Sequence, residues 1–202
     1  GKMLTSKSVW LLWLQYFLLS FPWYFYPTWL PTYLQEYHGV DRMTSGYYAI
    51  LPLFLGGVGS LTSGFLSTKL SRRWNNIGKS RRAISTFGFG GAAVMMFIAI
   101  QVKDPLWAMV GLGLSSFCND LVMPNAWGAC MDVGGKYAGT LSGSMNMMGN
   151  IAGFVAPVMG GIILRNTNND WNLFISIMAS VYVLGMLTWP FIDPVTPLEN
   201  EG

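Results

Sequence analysis

Charged residues are scarce in this sequence. They make up 10% of its 202 residues, whereas 52% of the residues are hydrophobic. Soluble domains carry about 25% charged residues, and a soluble chain of this length would have difficulty burying so much apolar surface. The formal net charge of +3 is small, and the basic residues cluster beside apolar runs, which does not indicate nucleic-acid binding. The composition therefore predicts an integral membrane protein whose surroundings are the lipid bilayer.

Histidine and cysteine are also nearly absent, which excludes several kinds of chemistry. The single histidine, His38, lies in a polar stretch, so no histidine-based metal site or serine–histidine pair is available within the membrane. The two cysteines, Cys118 and Cys130, are roughly 18 Å apart if they share a helix, which is too far for a disulfide. We expect no catalytic residue, no metal ligand and no cofactor.

Apolar runs long enough to cross a bilayer, about 20 residues each, alternate with short polar or turn-forming stretches. We predict an all-α polytopic membrane protein with six transmembrane helices, over residues 8–34, 45–68, 83–101, 105–130, 138–164 and 171–192. The first run contains Pro22, Pro27 and Pro31, each of which removes a backbone hydrogen bond. We therefore expect the outer half of the first helix to be bent or broken beside protein or a water-filled cavity.

The most basic stretch, residues 64–82, begins in the last turn of the second run and extends to the third, and it contains six Lys or Arg residues and no acid. Cytoplasmic segments of membrane proteins collect Lys and Arg. With both ends of the chain in the cytoplasm, nine of the basic residues lie on the cytoplasmic side and three on the other. The sequence therefore predicts that this stretch is a cytoplasmic loop and that both ends are cytoplasmic, in an inner or plasma membrane.

Small residues recur at every fourth position in two of the predicted helices. The two series are Gly56, Ser60 and Gly64 in the second helix, and Gly149, Gly153, Pro157 and Gly161 in the fifth. Small side chains at this spacing let membrane helices approach closely. We expect both faces to pack against protein rather than lipid.

Polar side chains are costly inside a membrane, and three of the predicted helices carry them at helical spacing. The first helix carries Tyr16 and Tyr24, the fourth Asp120 and Trp127, and the fifth Asn146 and Asn150. Any one such side chain is explained by hydrogen bonding between helices. The coincidence of three stripes with a carboxylate favours a polar pathway lined by these helices, and we predict that the six residues bind substrate.

Three segments resemble the C-terminal half of a major facilitator superfamily transporter. They are WLPTYLQEYHG, LPLFLGGVGSLTSGFLSTKLSRR and MDVGGKYAGTLSGSMNMMGNIAGFVAPVMGG. Within the superfamily, the nearest resemblance is to the anion:cation symporter family, whose members move hexuronates, aldonates, sialic acid and related organic anions. The resemblance covers essentially the whole chain. We therefore interpret residues 1–202 as one C-terminal six-helix bundle of a longer protein.

The resemblance implies a secondary active transporter that works by alternating access, with substrate bound near the membrane midplane between two halves. It implies a small organic anion as substrate, a proton as coupling ion, and the N-terminal six-helix half of the same transporter as a partner. It also matches Trp127 and Asn146 to substrate-facing positions. The family's anion-binding Arg and its main proton-carrying acids lie largely in the N-terminal half.

The superfamily's loop motif is a Gly, three residues, an Asp and then basic residues. Here Gly64 is followed by Thr68 at the Asp position and then by Lys69, Arg72 and Arg73. The family implies that the Asp pairs with basic residues and a helix end to latch the inner gate. Thr68 can form hydrogen bonds but no ion pair, so we expect this copy of the motif to be a degenerate latch.

Other classes of membrane protein fit less well. A rhomboid-type intramembrane protease needs a membrane histidine beside its serine, and His38 lies in a predicted loop. An aquaporin-type channel needs paired Asn-Pro-Ala signatures, whereas MPNAWG has another order and no second copy. A non-transporting membrane scaffold and a superfamily transporter of a different substrate class stay open as alternatives.

Overall fold

The computed structural model describes residues 2–199, which form helices joined by short turns. The helices in chain order are α1 (Lys2–Thr5), α2 (Lys7–Trp23), α3 (Phe25–Thr28), α4 (Leu30–Glu36), α5 (Arg42–Trp74), α6 (Ile77–Ala99), α7 (Pro105–Gly134), α8 (Ala138–Asn166) and α9 (Trp171–Thr188). Two 3-10 turns, Gly135–Tyr137 and Trp189–Phe191, follow α7 and α9. No strand occurs in this described range, and the predicted all-α class is confirmed.

Four helical stretches within residues 2–199 are long and apolar enough to cross a membrane. They are Arg42–Trp74, Ile77–Ala99, Pro105–Asn166 and Trp171–Phe191, and the third contains both α7 and α8. The segment before Arg42 is not among them, because its longest helix has only 17 residues. The expected count of six transmembrane helices therefore stays a prediction.

The first predicted helix is broken, as its prolines indicate. α2 gives way to the short helices α3 and α4 after interruptions at Tyr24 and Trp29. A proline cannot donate a hydrogen bond to the carbonyl four residues earlier, so the helix is weakened at each one. The broken segment contacts α7 on one side, where the Tyr26 hydroxyl donates to the Leu112 carbonyl at 3.1 Å.

The basic stretch is helical over most of its length, so the connection between the second and third predicted helices is shorter than expected, whereas its cytoplasmic location stays a prediction. Only Asn75 and Asn76 separate α5 from α6. Asn75 takes a left-handed φ of 48° at the end of α5, and the Asn76 side chain accepts a hydrogen bond from the Lys79 N–H at 2.8 Å. A helix can extend beyond the apolar core of a bilayer, and the helix dipole favours Lys and Arg at its C-terminal end.

α7 lies between α5 and α6 and packs closely against both. A Cβ on Gly59 of α5 would collide with the backbone carbonyl of Phe117. The Ser63 hydroxyl donates to the Leu121 carbonyl at 2.6 Å, and the Asn125 amide donates to Ser63 Oγ at 2.9 Å. Small side chains and interhelical hydrogen bonds therefore hold the α5–α7 contact, as expected for helices in lipid.

The predicted small-residue face of α5 is only partly correct. Gly56 is buried, but Ser60 is half-buried and Gly64 is exposed with open space where a Cβ would lie. The face that packs on α7 contains Gly56, Gly59 and Ser63 instead. An α-helix has 3.6 residues per turn, so a strict four-residue series drifts away from the contact within a few turns.

Replacing Gly59 with Ala should destabilise the protein, whereas Gly64→Ala should not. The new methyl group at position 59 would push against the Phe117 carbonyl, and overpacking of this kind costs roughly 1–3 kcal/mol. At position 64 the space is open, and Ala is favoured over Gly in a helix by up to about 1 kcal/mol. Melting temperatures of the two variants in detergent check this, and equal values would contradict the close α5–α7 contact.

Candidate substrate-binding site

A cavity of about 100 Å³ lies between α2, α7 and α8. Four of the six residues predicted to bind substrate line it, namely Tyr16, Tyr24, Asn146 and Asn150. The other lining residues are Ser20, Trp23, Met123 and Gly149. The structure thus brings the predicted stripes of the first and fifth helices together, while α7 contributes an apolar side chain.

Two glycines of α8 allow the aromatic side chains of α2 to reach this position. A Cβ on Gly149 would lie 2.7 Å from the Tyr16 ring, and a Cβ on Gly153 would collide with the Tyr24 ring. The same two helices are joined by a hydrogen bond from Trp13 Nε1 to Ser144 Oγ at 3.0 Å. At Gly149 and Gly153, the small-residue face of α8 therefore packs against protein, as its spacing predicts.

The two asparagines present amide groups on the exposed side of the cavity. Asn150 Nδ2 donates to the backbone carbonyl of Asn146 at 2.9 Å, within the same helix. The Asn146 side chain makes no hydrogen bond to any residue in the described part of the chain. Because an amide both donates and accepts, Asn146 is available to bind a carboxylate or a hydroxyl group.

Trp127 lies beside the cavity rather than in its lining. Its ring meets the Tyr16 ring edge to face, with the centroids 5.6 Å apart. Edge-to-face pairs of this kind are favourable and fix the relative orientation of the rings. In this conformation Trp127 therefore supports Tyr16 from the α7 side.

Asp120 faces α5 and is not part of the cavity lining. Its Oδ2 would lie 2.6 Å from a Cβ on Gly56, and its Oδ1 accepts a hydrogen bond from Asn119 Nδ2 at 2.7 Å. The side chain is half-buried and forms no ion pair within residues 2–199. Ser116 Oγ, which borders the same glycine, is buried without a hydrogen-bond partner in that range. The structure therefore places the one deep carboxylate at a contact between helices.

The loop-motif residues lie on the last turns of α5. The Thr68 hydroxyl donates to the Gly64 carbonyl of its own helix at 2.9 Å, so it latches nothing outside α5. Lys69, Arg72 and Arg73 are exposed, and none of them forms an ion pair with a described residue. These three cations are free to meet another part of the protein or the membrane surface.

An ion pair that the sequence analysis missed lies close to this basic stretch. Arg81 Nη1 is 2.6 Å from Asp132 Oδ2 on α7 and donates to the Pro194 carbonyl at 2.7 Å. Arg82 Nε donates to the Ile192 carbonyl at 2.7 Å. These bonds hold the segment that follows α9 across the ends of α6 and α7.

One signal in the sequence narrows the possible partners of Arg81 without identifying Asp132. With six spans, the ends of the fourth and sixth runs lie on the same side of the membrane as the basic stretch. Asp132 and Asp193 each stand at one of those ends. The positive-charge bias that predicts orientation takes no account of acidic residues. Asp132 and Asp193 are acids at the depth of the basic stretch, and Asp132 is the partner of Arg81.

Comparison with known proteins decides the family. The profile of the Major Facilitator Superfamily matches residues 1–157. The chain belongs to the Major Facilitator Superfamily. Its apolar helices and its transporter relatives make it an integral membrane protein and not an enzyme.

Three relatives in the superfamily are similar over most of this chain. A probable sulfoacetate transporter of Cupriavidus necator is 33% identical over 196 residues, which are 96% of this chain and 45% of the relative. A probable galactarate/D-glucarate transporter of Escherichia coli is 29% identical over 167 residues, 81% of this chain and 37% of the relative. A probable L-galactonate transporter of the same organism is 25% identical over 191 residues, which are 93% of this chain and 41% of the relative. The chain therefore spans less than half the length of these relatives.

Within this superfamily domain, Arg81→Gln should destabilise the fold more than Asp132→Asn. The Arg81 change leaves the buried Pro194 carbonyl unpaired, and an unsatisfied buried group costs about 1–3 kcal/mol. The Asp132 side chain is 42% exposed, and the oxygen of the substituted Asn can still accept a hydrogen bond from Arg81, so the loss should be smaller than for Arg81→Gln. Thermal unfolding of both variants measures the difference. An equal loss would show that the carbonyl contact contributes nothing.

Proposed function

We propose that this chain is the C-terminal six-helix half of a transporter that carries small organic anions together with protons. The observation that carries the proposal is the cavity between α2, α7 and α8, which gathers tyrosine, tryptophan and asparagine side chains from separate helices. The relatives named for sulfoacetate, galactarate or D-glucarate, and L-galactonate support an anionic substrate. Sugar acids such as hexuronates or aldonates are the class that we favour.

The cavity lining suits one part of such a molecule. Aromatic rings such as Tyr24 and Trp23 can pack on the C–H face of a carbon chain or ring, and the Asn146 amide can hydrogen-bond to hydroxyl or carboxylate oxygens. No Lys or Arg is among the described residues that line it. The negative charge of the substrate is therefore met by the N-terminal half in this proposal.

The N-terminal half also completes the transport cycle. Substrates of two-half transporters bind between the halves, which rock about the site to open it to each side in turn. Asn146 and Asn150 are exposed and would face that partner, as would the unpaired Lys69, Arg72 and Arg73 at the inner gate. In this arrangement the basic residues and both ends of the chain are cytoplasmic, and the protein lies in the cell membrane.

Replacing Asn146 with Ala in the full-length transporter should weaken substrate binding about tenfold, because a hydrogen bond to a charged group contributes roughly 1.5 kcal/mol. The melting temperature should stay near that of the wild type, since the Asn146 side chain bonds to no described residue. Sugar-acid affinity measured by calorimetry checks the first point.

The matched control is Asn172→Ala, which removes an exposed amide from α9 outside the cavity. It should leave both affinity and melting temperature unchanged. If Asn146→Ala instead lowers the melting temperature, the residue has a structural role. If its substrate affinity equals that of the control, Asn146 does not contact substrate.

For Asp120 we propose a role in gating or in tuning substrate binding, with proton transfer as the second possibility. Its carboxylate lies against Gly56 at the α5–α7 contact, where a shift of either helix would change its surroundings. An ionisable group inside a membrane helix is costly and marks a functional site by default. The position favours an indirect effect on substrate over direct contact.

Asp120→Asn in the full-length transporter separates these roles, because the amide keeps the shape and removes the charge. We expect proton-driven uptake and substrate counterflow to fall together by tenfold or more in a protein that still folds. Loss of driven uptake with counterflow intact would instead assign proton coupling to Asp120 and contradict the gating role.

A further inference from the structure

A groove of about 1090 Å³ runs between α6 and α9. Its lining is apolar over most of its length, with Phe87, Val94 and Met186 among its walls. Gly90 and Gly91 are also among its lining residues. Lys79 and Arg82 stand at one end.

The groove faces away from the candidate substrate site. The substrate cavity is lined by α2, α7 and α8, whereas α6 packs against α7 and α9 on the other side of the domain. The outward side chains of the two groove helices are apolar and exposed, for example Phe97 on α6 and Leu184 on α9. In a membrane protein, a face of this kind contacts lipid acyl chains.

The cationic end of the groove has unused hydrogen-bond donors. Lys79 Nζ lies over the Trp74 ring at 5.3 Å from its centroid and forms no ion pair with a described residue. Arg82 uses only Nε, on the Ile192 carbonyl, so its terminal nitrogens remain available. A guanidinium and an ammonium together suit a phosphate group.

One acid lies near this end and offsets part of its positive charge, because Asp193 interacts electrostatically with Arg82. Asp193 borders the adjoining polar cavity together with Lys79 and Arg82. Its carboxylate accepts hydrogen bonds from the Val195 and Thr196 N–H groups and is not ion-paired with Arg82. No Asp or Glu is among the described residues that line the groove itself.

We propose that this groove is a binding site for an anionic phospholipid. The phosphate lies on Lys79 and Arg82, and one acyl chain follows α6 toward Gly90. From Lys79 to Gly90 the helix rises roughly 17 Å, which is about half of the ~30 Å hydrocarbon core and matches one leaflet. Basic pockets between membrane helices are known to favour anionic head groups. The proposal requires a membrane protein but does not rest on transport.

The test uses the purified, delipidated full-length protein in detergent. Binding of phosphatidylglycerol and of phosphatidylcholine with the same acyl chains is measured by native mass spectrometry and by the rise in melting temperature. The wild type should prefer phosphatidylglycerol. Lys79→Gln should lower its affinity for phosphatidylglycerol about fivefold, as expected for one cation near the head group, and leave phosphatidylcholine unchanged.

Two further variants complete the test. Thr86→Phe places a ring in the apolar part of the groove and should weaken both lipids, because it obstructs the acyl chain. Lys103→Gln removes an exposed cation far from the groove and should behave as the wild type. Equal binding of the two lipids by the wild type, equal behaviour of Lys79→Gln and Lys103→Gln, or full lipid binding by Thr86→Phe would overturn the proposal.

Discussion

The close contact between α8 and the broken first segment is the constraint on which the candidate site depends. Gly149 and Gly153 leave just enough room for the Tyr16 and Tyr24 rings, so the two helices meet with aromatic groups between them. A break in α2 would be costly in lipid, and here it coincides with a polar cavity and with protein contacts. The break in the helix therefore lies beside the candidate substrate cavity.

Charge is divided between the ends and the middle of the domain. The cations of the basic stretch lie at one end. There Arg81 joins α6, α7 and the segment after α9, and Lys79 and Arg82 border the groove between α6 and α9. The cavity lining contains amides, hydroxyls and rings but no described cation. In the transporter that we propose, the charge that selects an anion would come from the other half, and this half would contribute shape and hydrogen bonds.

Some of this arrangement could be predicted from sequence because it follows from local rules. Low charge and long apolar runs indicated membrane helices, three prolines indicated a broken first segment, and helical spacing put Tyr16 and Asn146 within reach of one cavity. The family was recognisable because its motifs are contiguous stretches of the chain.

The rest could not be predicted, because it depends on how helices are rotated about their axes. The two polar residues of α7 that were expected in the site do not line the cavity: Asp120 lies against Gly56, and Trp127 packs beside Tyr16. A hydropathy pattern indicates where the chain leaves the bilayer but not where a helix ends. The helical conformation of the basic stretch was therefore not predicted. The Arg81–Asp132 pair joins residues 51 positions apart, and only the packing of α6 on α7 brings them together.

The most direct test of the account is uptake by the full-length protein in proteoliposomes, with a panel of sugar acids, sulfonates and uncharged sugars. The account predicts saturable uptake of at least one organic anion, faster with an inward proton gradient, and no uptake of the matching uncharged sugar. Uptake of uncharged sugars at the same rate, or an anion uptake that ignores the proton gradient, would contradict a proton-coupled organic-anion transporter.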